Sequence, residues 1–224
     1  MPITKKSAGQ KVTIDENHII ALYMNDVLED NHNIKNVYVF CKNNNIEEAE
    51  FYTFFGSLDA VKDSVWVKFF ENAVATIEKD ENYNSYSDKN KLLALHFTLF
   101  EILTLNRSYV TYVLNEDKSE LYTLKQLKHL RNRFKDYIVD IIETTTSESK
   151  ANFTKITKPI FSEGAWIQFL LILKFWFNDN SKGFEKTDIV IEKSINTVVD
   201  LLDTKPLEGL FDLGKFLFKE ARSR

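Results

Sequence analysis

Between Leu121 and Ile141 the apolar residues fall at Leu121, Leu124, Leu127, Leu130, Phe134, Ile138 and Ile141. Steps of three and four place them on one stripe of a helix, which predicts a helix over about 119–144. The same period opens the chain. Ile14, Ile19 or Ile20, Tyr23 or Met24, and Val27 or Leu28 predict a first helix starting at Thr13 or Asp15 and broken by DNHN at 30–33. Two short helices follow, over 35–43 and 46–53, joined by a turn at Asn43, Asn44 and Asn45, because Asn tolerates left-handed backbone angles. Gly56 and Ser57 close the second of them, and Ser57 serves as N-cap for a helix from Leu58 to about Lys79. The polar run DENYNSYSDKN at 80–90 reads as a loop. Further helices are predicted at 90–105, 107–115, 161–178, 188–203 and 207–220. The Thr-rich stretch 144–155 reads as a loop, Pro159 and Gly164 bracket the next helix start, and Gly183 permits the turn after it. Strand-like alternation and internal repeats are lacking, so the fold class is all-α.

Composition agrees with that reading. Among 224 residues there are only 6 Gly and 3 Pro, little material for tight turns, but 18 Phe and 9 Tyr, enough to fill a core or line an apolar cavity. One cysteine, Cys41, excludes an internal disulfide framework and a cysteine-built zinc site. The N-terminus has no apolar run of signal-peptide length, and residues 1–12 read as a flexible arm. The longest apolar run, AWIQFLLILKFWF at 165–177, contains Gln168 and Lys174 and is too short for a bilayer, so it reads as a buried helix of a cytoplasmic protein.

Chemistry-bearing patterns are sparse. The four histidines, His18, His32, His96 and His129, form no metal-ligand pair at helical spacing, and His96 in LLALHFTLF reads as a hydrogen-bonded core histidine. With no nucleophile motif, glycine-rich phosphate loop or paired carboxylates, the chain reads as a non-enzyme without metal or cofactor. The run LKQLKHLRNRFKDY at 124–137 is basic off its apolar stripe. It reads as a solvated helix face or, alternatively, a docking surface for an acidic protein or anionic lipid.

Residues 14–63 resemble the DNA-binding domain of the TetR family of bacterial one-component regulators. The resemblance rests on VYVFCKNNNIEEAEFYTFFGSLDAV at 37–61, where Phe51, Tyr52, Phe55 and Ser57 match the end of the family's recognition helix and the start of the next helix. The stretch FWFNDNSKGFEKTDIVIEKSINTVVDLLD at 175–203 looks like the C-terminal part of a TetR-like subgroup. The resemblance implies an all-α homodimer. A helix-turn-helix head of three helices over 13–57 would meet operator DNA, and a larger helical body over 58–224 would bind ligand and dimerise. Tyr52 falls on the family's phosphate-contacting tyrosine; Lys5, Lys6, Lys35 and Lys42 are the head's other candidate DNA contacts. Family bodies bind small, often apolar, molecules. Here Trp66, Phe69, Phe70, Phe97, Phe100, Tyr109, Tyr112, Phe134 and Tyr137 are the candidate lining of an elongated cavity for an apolar or lipid-like ligand, with Arg107 and Glu101 toward a polar head group. Each of these aromatics alone reads equally as core. The subunit interface is expected at Trp166, Phe169, Leu170, Leu173, Trp176 and Phe177 with Ile191, Ile195 and Val198, since a helix apolar on several faces needs partners on two sides. The alternative is the central core helix of a monomer.

The head departs from the family in its charge. Asn44 and Asn45 stand where a turn glycine is usual, Leu58 replaces a lysine, and the recognition helix opens with Glu47-Glu48-Ala49-Glu50. Residues 1–63 hold six bases and ten acids, a net of −4, while the remaining 161 residues hold 23 of each and sum to zero. The whole net charge of −4 therefore sits where phosphates would approach. Non-specific DNA affinity comes mostly from counterion release by Lys and Arg. Two readings follow: a TetR-like transcriptional regulator, or a TetR-fold module that has lost DNA binding and takes a lipid or a protein partner.

Overall fold

The computed structural model describes residues 14–29, 36–115, 124–145 and 151–203, with the backbone alone at 142–145, 151–157 and 199–203. Among these residues every regular element is helical. In chain order they are α1 (Glu16–Glu29), α2 (Val37–Asn44), α3 (Glu48–Phe51), α4 (Leu58–Ile77), α5 (Asp88–Leu105), α6 (Arg107–Asn115), α7 (Lys128–Thr145), α8 (Ala151–Asn178) and α9 (Glu185–Asp203). The helix expected at 207–220, and the Lys5, Lys6 and Lys35 contacts, lie outside the described residues. So does 119–123, the start of the helix expected over 119–144.

The chain divides into two compact units. The first takes the described part of 1–67 with that of 108–129; the second takes 68–107 and the described residues from 130 onward.

In the first unit the starts and stops are set by side-chain caps. Asp15 accepts from the His18 N–H at 2.7 Å and begins α1. Asn36 accepts from the Val39 N–H at 2.9 Å, so α2 begins at Val37, two residues later than the pattern suggests. Asn45 takes the left-handed conformation at φ 54°, and the Ile46 N–H reaches back to the Cys41 carbonyl at 2.9 Å. That pairing belongs to a Schellman-type helix end, so Ile46 closes α2 instead of opening α3. Here α3 is a single turn, much shorter than the expected 46–53, and Tyr52 to Phe54 continue as turns. Ser57 accepts from the Ala60 N–H at 3.1 Å and starts α4 as expected. The core is a ladder of rings: Tyr23 of α1 lies 6.5 Å from Phe40 of α2, Phe40 lies 5.8 Å from Phe51 of α3, and Phe51 lies 6.2 Å from Phe55. Asn44 donates to Asp26 at 2.8 Å and ties α2 to α1.

The second unit is built on longer helices. Ser87 accepts from the Asn90 N–H at 3.3 Å and begins α5, after a 3-10 turn at Tyr83–Ser85. α8 starts ten residues before the expected 161 and carries Pro159 inside it. The proline removes one N–H from the ladder. The loss is one bond in a helix of 28 residues, which continues through it. Gly183 at φ 63° and Phe184 at φ 61° turn the chain into α9, which packs against α5 and α8. Over Lys158–Asn178, α8 is long and apolar enough to cross a membrane by length and composition. Its inner face nevertheless carries the buried Trp166, Phe169 and Trp176, and its Glu163 is paired with Arg131 and Lys135 of α7. Those two pairs occupy the centre of the basic run at 124–137, and His129 Nε2 stands 3.7 Å from Asp63 in the first unit. The run is therefore partly consumed within the chain.

Candidate recognition head and ligand-binding body

The head presents a small, mixed face. Tyr52 is 51 % exposed at the end of α3, Phe54 is exposed two residues on, and Phe51, just before them, is buried in the core. Glu47 and Glu50 are exposed and Glu48 is half-buried. Burial and then the Glu48 charge push the Cys41 thiol upward, so it stays protonated and unreactive. On α2 the Lys42 ammonium lies 6.0 Å from the centre of the exposed Tyr38 ring. Of the five expected DNA contacts, Lys42 and Tyr52 are described, and both stand in solvent. Carboxylates outnumber ammonium groups around them, so the face repels phosphate unless other contacts hold the duplex.

The body converges on Phe134 of α7. Its ring meets Phe70 of α4 at 6.0 Å, His96 of α5 at 5.9 Å, and Trp166 and Phe169 of α8 at 5.7 and 5.3 Å. Phe169 leads on to Phe100 at 5.8 Å, and Phe100 to Trp176 at 6.2 Å. Among the described residues, the polar side chains that border this cluster include His96, Tyr83, Tyr137 and Arg107. His96 bonds the Leu92 carbonyl through Nδ1 at 2.8 Å, and its Nε2 has no hydrogen-bond partner among the described residues. Full burial holds its pKa down at about 4 against the lifting effect of that carbonyl, so the ring is neutral at pH 7. Tyr83 and Tyr137 share a hydroxyl–hydroxyl hydrogen bond, and burial, the larger cause for each, keeps both phenols protonated. Arg107 donates to the Trp176 and Phe177 carbonyls at 3.1 and 3.2 Å and stacks 4.4 Å from the centres of the Trp176 and Phe184 rings. In this structure its guanidinium clamps the end of α8; Glu101 is exposed.

The nine expected pocket residues are therefore divided. Phe69, Phe70, Phe100 and Phe134 are buried in the second unit, with Tyr137 half-buried at its edge and Phe97 at 37 % exposure on the outer face of α5. Trp66 and Tyr109 are buried in the first unit, and Tyr112 there is half-buried.

The model of the tetracycline-repressor-like C-terminal domain matches residues 91–217. That is more than half of the chain, and it takes in the helices that carry His96, Phe100, Phe134 and Trp166. The chain belongs to the tetracycline-repressor-like family. No curated protein matches it. The family match, the all-helical architecture and the helix-turn-helix order of α1 to α3 identify a TetR-like regulator with a ligand-binding body.

Within this TetR-like body, burial redistributes the residues expected at a subunit interface. Trp166, Phe169, Leu173, Trp176, Ile191 and Ile195 are all buried inside the chain, while Leu170, Phe177 and Val198 are half-buried. The outer ridge of α8 is made by other residues: Ile160, Ile167 and Leu171 are 58 %, 56 % and 64 % exposed, with Phe175 beyond them. Sequence reasoning missed this ridge because it weighed the larger rings, which turn inward. The spacing of Ile160, Gly164, Ile167, Leu171 and Phe175, at steps of three and four, was the signal that could have found it. Two polar groups of the core also went unremarked: Tyr83, read only as part of a loop, and Asp179, whose carboxylate caps α9 by accepting from the Thr187 N–H at 3.0 Å and the Thr187 hydroxyl at 2.7 Å.

Proposed function

We propose that this TetR-like chain is a cytoplasmic one-component transcriptional regulator, a non-enzyme that works as a homodimer. In this reading residues 13–57 are the operator-binding head, preceded by an arm over 1–12, and 58–224 are the ligand-binding and dimerising body. A small apolar or lipid-like ligand enters the aromatic cluster around Phe134, where His96 and the Tyr83–Tyr137 pair offer it polar partners. The second copy covers the exposed ridge of α8, because four large apolar side chains on one helix face are more than a solvated helix carries. The observation that carries the regulator reading is the pairing of a family-matched body with a head whose turn at Asn45 leads to an exposed Tyr52.

A second reading is favoured by one specific observation: Glu47, Glu48 and Glu50 crowd the single turn of α3. In it the head has lost DNA and the body serves as a lipid- or protein-binding module. A fluorescence-polarisation titration on upstream and random DNA separates the two. The regulator binds upstream DNA at about 50 mM salt, where phosphate contacts are strongest; no binding there leaves the module. Light scattering on Leu171→Glu tests the dimer: the variant becomes a monomer if the ridge is the interface and is unchanged if it is not.

A further inference from the structure

The His96 side chain is buried at 1 % exposure, and its two ring nitrogens are used differently. Nδ1 lies 2.8 Å from the Leu92 carbonyl oxygen. A carbonyl only accepts, so Nδ1 carries a hydrogen and donates it. The ring is neutral at pH 7, and a neutral imidazole has a single N–H. Nε2 is therefore a bare lone pair, an acceptor. It is buried and has no hydrogen-bond partner among the described residues. A buried acceptor without a donor opposes folding, and the large majority of such groups in native proteins are matched. His96 meets the ring of Phe134, which in turn meets Phe70, Trp166 and Phe169. The three phenylalanine rings carry no polar atom. A buried water is held by two to four polar partners, so a site of this kind suits a donor carried on an apolar body better than it suits water. Tyr137, 5.8 Å from Phe70, and Tyr83 already bond each other and set no comparable requirement.

We infer that the ligand of this body is a neutral alcohol or phenol, an apolar molecule whose hydroxyl donates to His96 Nε2. The inference rests on the reading that a ligand enters the cluster around Phe134, and it adds what that ligand must carry. A ketone, an ester or an ionised carboxylate offers only oxygen lone pairs, which would face the nitrogen lone pair. The carboxylate would in addition give up its hydration to enter among rings. His96 is then a specificity-determining residue. The rings accept any apolar body of the right size, whereas the imidazole favours one that brings a hydrogen, because a ligand without it leaves the buried nitrogen unpaired.

The test titrates the full chain with 4-pentylphenol and with 4-pentylanisole, its methyl ether, which keeps the apolar body and loses the donor. Amide NMR reports where each probe binds, and the 15N resonances of the His96 ring report the state of Nε2. The expected result is that the phenol moves the Nε2 resonance while the anisole, bound among the same helices, leaves it in place. The ratio of phenol to anisole affinity should be about five- to tenfold higher for the unaltered chain than for His96→Phe, the worth of one hydrogen bond. Comparing the ratio between two proteins cancels the different cost of taking each probe out of water. The 15N measurement needs only the unaltered chain, so it decides the matter even if His96→Phe fails to fold. Amide shifts around Phe134 from both probes, with Nε2 unmoved by the phenol, overturn the inference and leave the ligand-binding cluster standing. An affinity ratio that is the same in His96→Phe does so too. Amide shifts on α5, α7 and α8 from neither probe end both the inference and the reading of the cluster on which it rests.

Discussion

Phe40, Phe51 and Phe55 of the first unit are buried, while Tyr38, Tyr52 and Phe54, one to three residues away from them, stand in solvent. In the second unit Phe134 meets four rings, and the aromatics of α7 and α8 are spent mostly on one another. The head thus keeps a thin core and shows rings outward on short helices, as a surface made to touch something does. The body buries most of its rings on helices of 18 to 28 residues and shows mainly aliphatic side chains, with Phe175, along one ridge. The difference teaches where each kind of change will be felt. If buried rings set stability and exposed rings set recognition, a substitution in one region should leave the other's property nearly untouched.

The largest break in that contrast is Phe134→Ala. Removing a fully buried ring with four ring neighbours should cost about 3–5 kcal/mol, through lost transfer energy and the cavity left behind. Urea unfolding followed by tryptophan fluorescence measures it, since Trp166 and Trp176 lie in the same cluster. Phe54→Ala in the head, on an exposed ring, should move the stability by no more than about 0.5 kcal/mol. Similar losses for the two would show that the second unit does not carry the stability assigned to it.

Acid sharpens the same contrast. The folded chain holds His96 neutral with a pKa of about 4, below the ordinary 6.5, so the unfolded chain takes up the proton first. The contribution is complete above pH 6.5 and is lost as pH falls from there toward 4. A shift of that size corresponds to roughly 3 kcal/mol at full development. His96→Phe should remove this slope and leave the chain less sensitive between pH 6.5 and 4.5. An unchanged slope in the variant would place the acid sensitivity elsewhere.

The two regions also differed in how far they could be read from sequence. The body's helices follow from apolar spacing alone, because a long amphipathic stripe has one satisfactory conformation. The direction each ring takes was not readable. Trp166 and Trp176 lie on the same helix as Ile167 and Leu171, and only the packed neighbours decide which stripe turns inward. The extension of α8 back to Ala151 was hidden by Pro159, since a proline usually marks a start and here interrupts one bond of an established helix. In the head the turn at Asn45 was legible from its three asparagines. The length of α3 was not, because Ile46 spends its N–H on the end of the preceding helix, a local bond that apolar spacing does not reveal. Lys174 and Lys186, twelve residues apart, line one surface groove because the chain turns at Gly183, a proximity that spacing alone does not show.

A smaller effect is expected at that head turn. Asn45 sits at φ 54°, where a Cβ-bearing residue pays about 1–2 kcal/mol unless its side chain suits the left-handed region. Asn45→Ala should therefore destabilise the chain by about 1 kcal/mol, and Asn45→Gly should not. The pair distinguishes backbone strain from a lost side-chain interaction, because both variants remove the same carboxamide. Equal destabilisation would assign the cost to the carboxamide and make the turn itself unimportant for holding α3.

The smallest change in stability should accompany the sharpest change in recognition. Glu47→Ser, Glu48→Lys and Glu50→Thr together alter residues that are exposed or half-buried, with no side-chain capping bond from Glu47, so the folded chain should stay within about 0.5 kcal/mol of the original. The face of α3 then carries a lysine and loses three carboxylates. If phosphate approach is what the glutamates oppose, DNA affinity emerges or rises, and the plot of log affinity against log salt steepens by about 0.9 for the one phosphate that the new lysine neutralises. Polarisation titrations at several salt concentrations read both quantities from the same samples. Affinity that stays absent while the fold is unchanged would mean that one turn of helix is too short to reach a groove whatever its charge. In that case the geometry of α3, set by Ile46 and Asn45, separates this head from a DNA reader, and its charge does not.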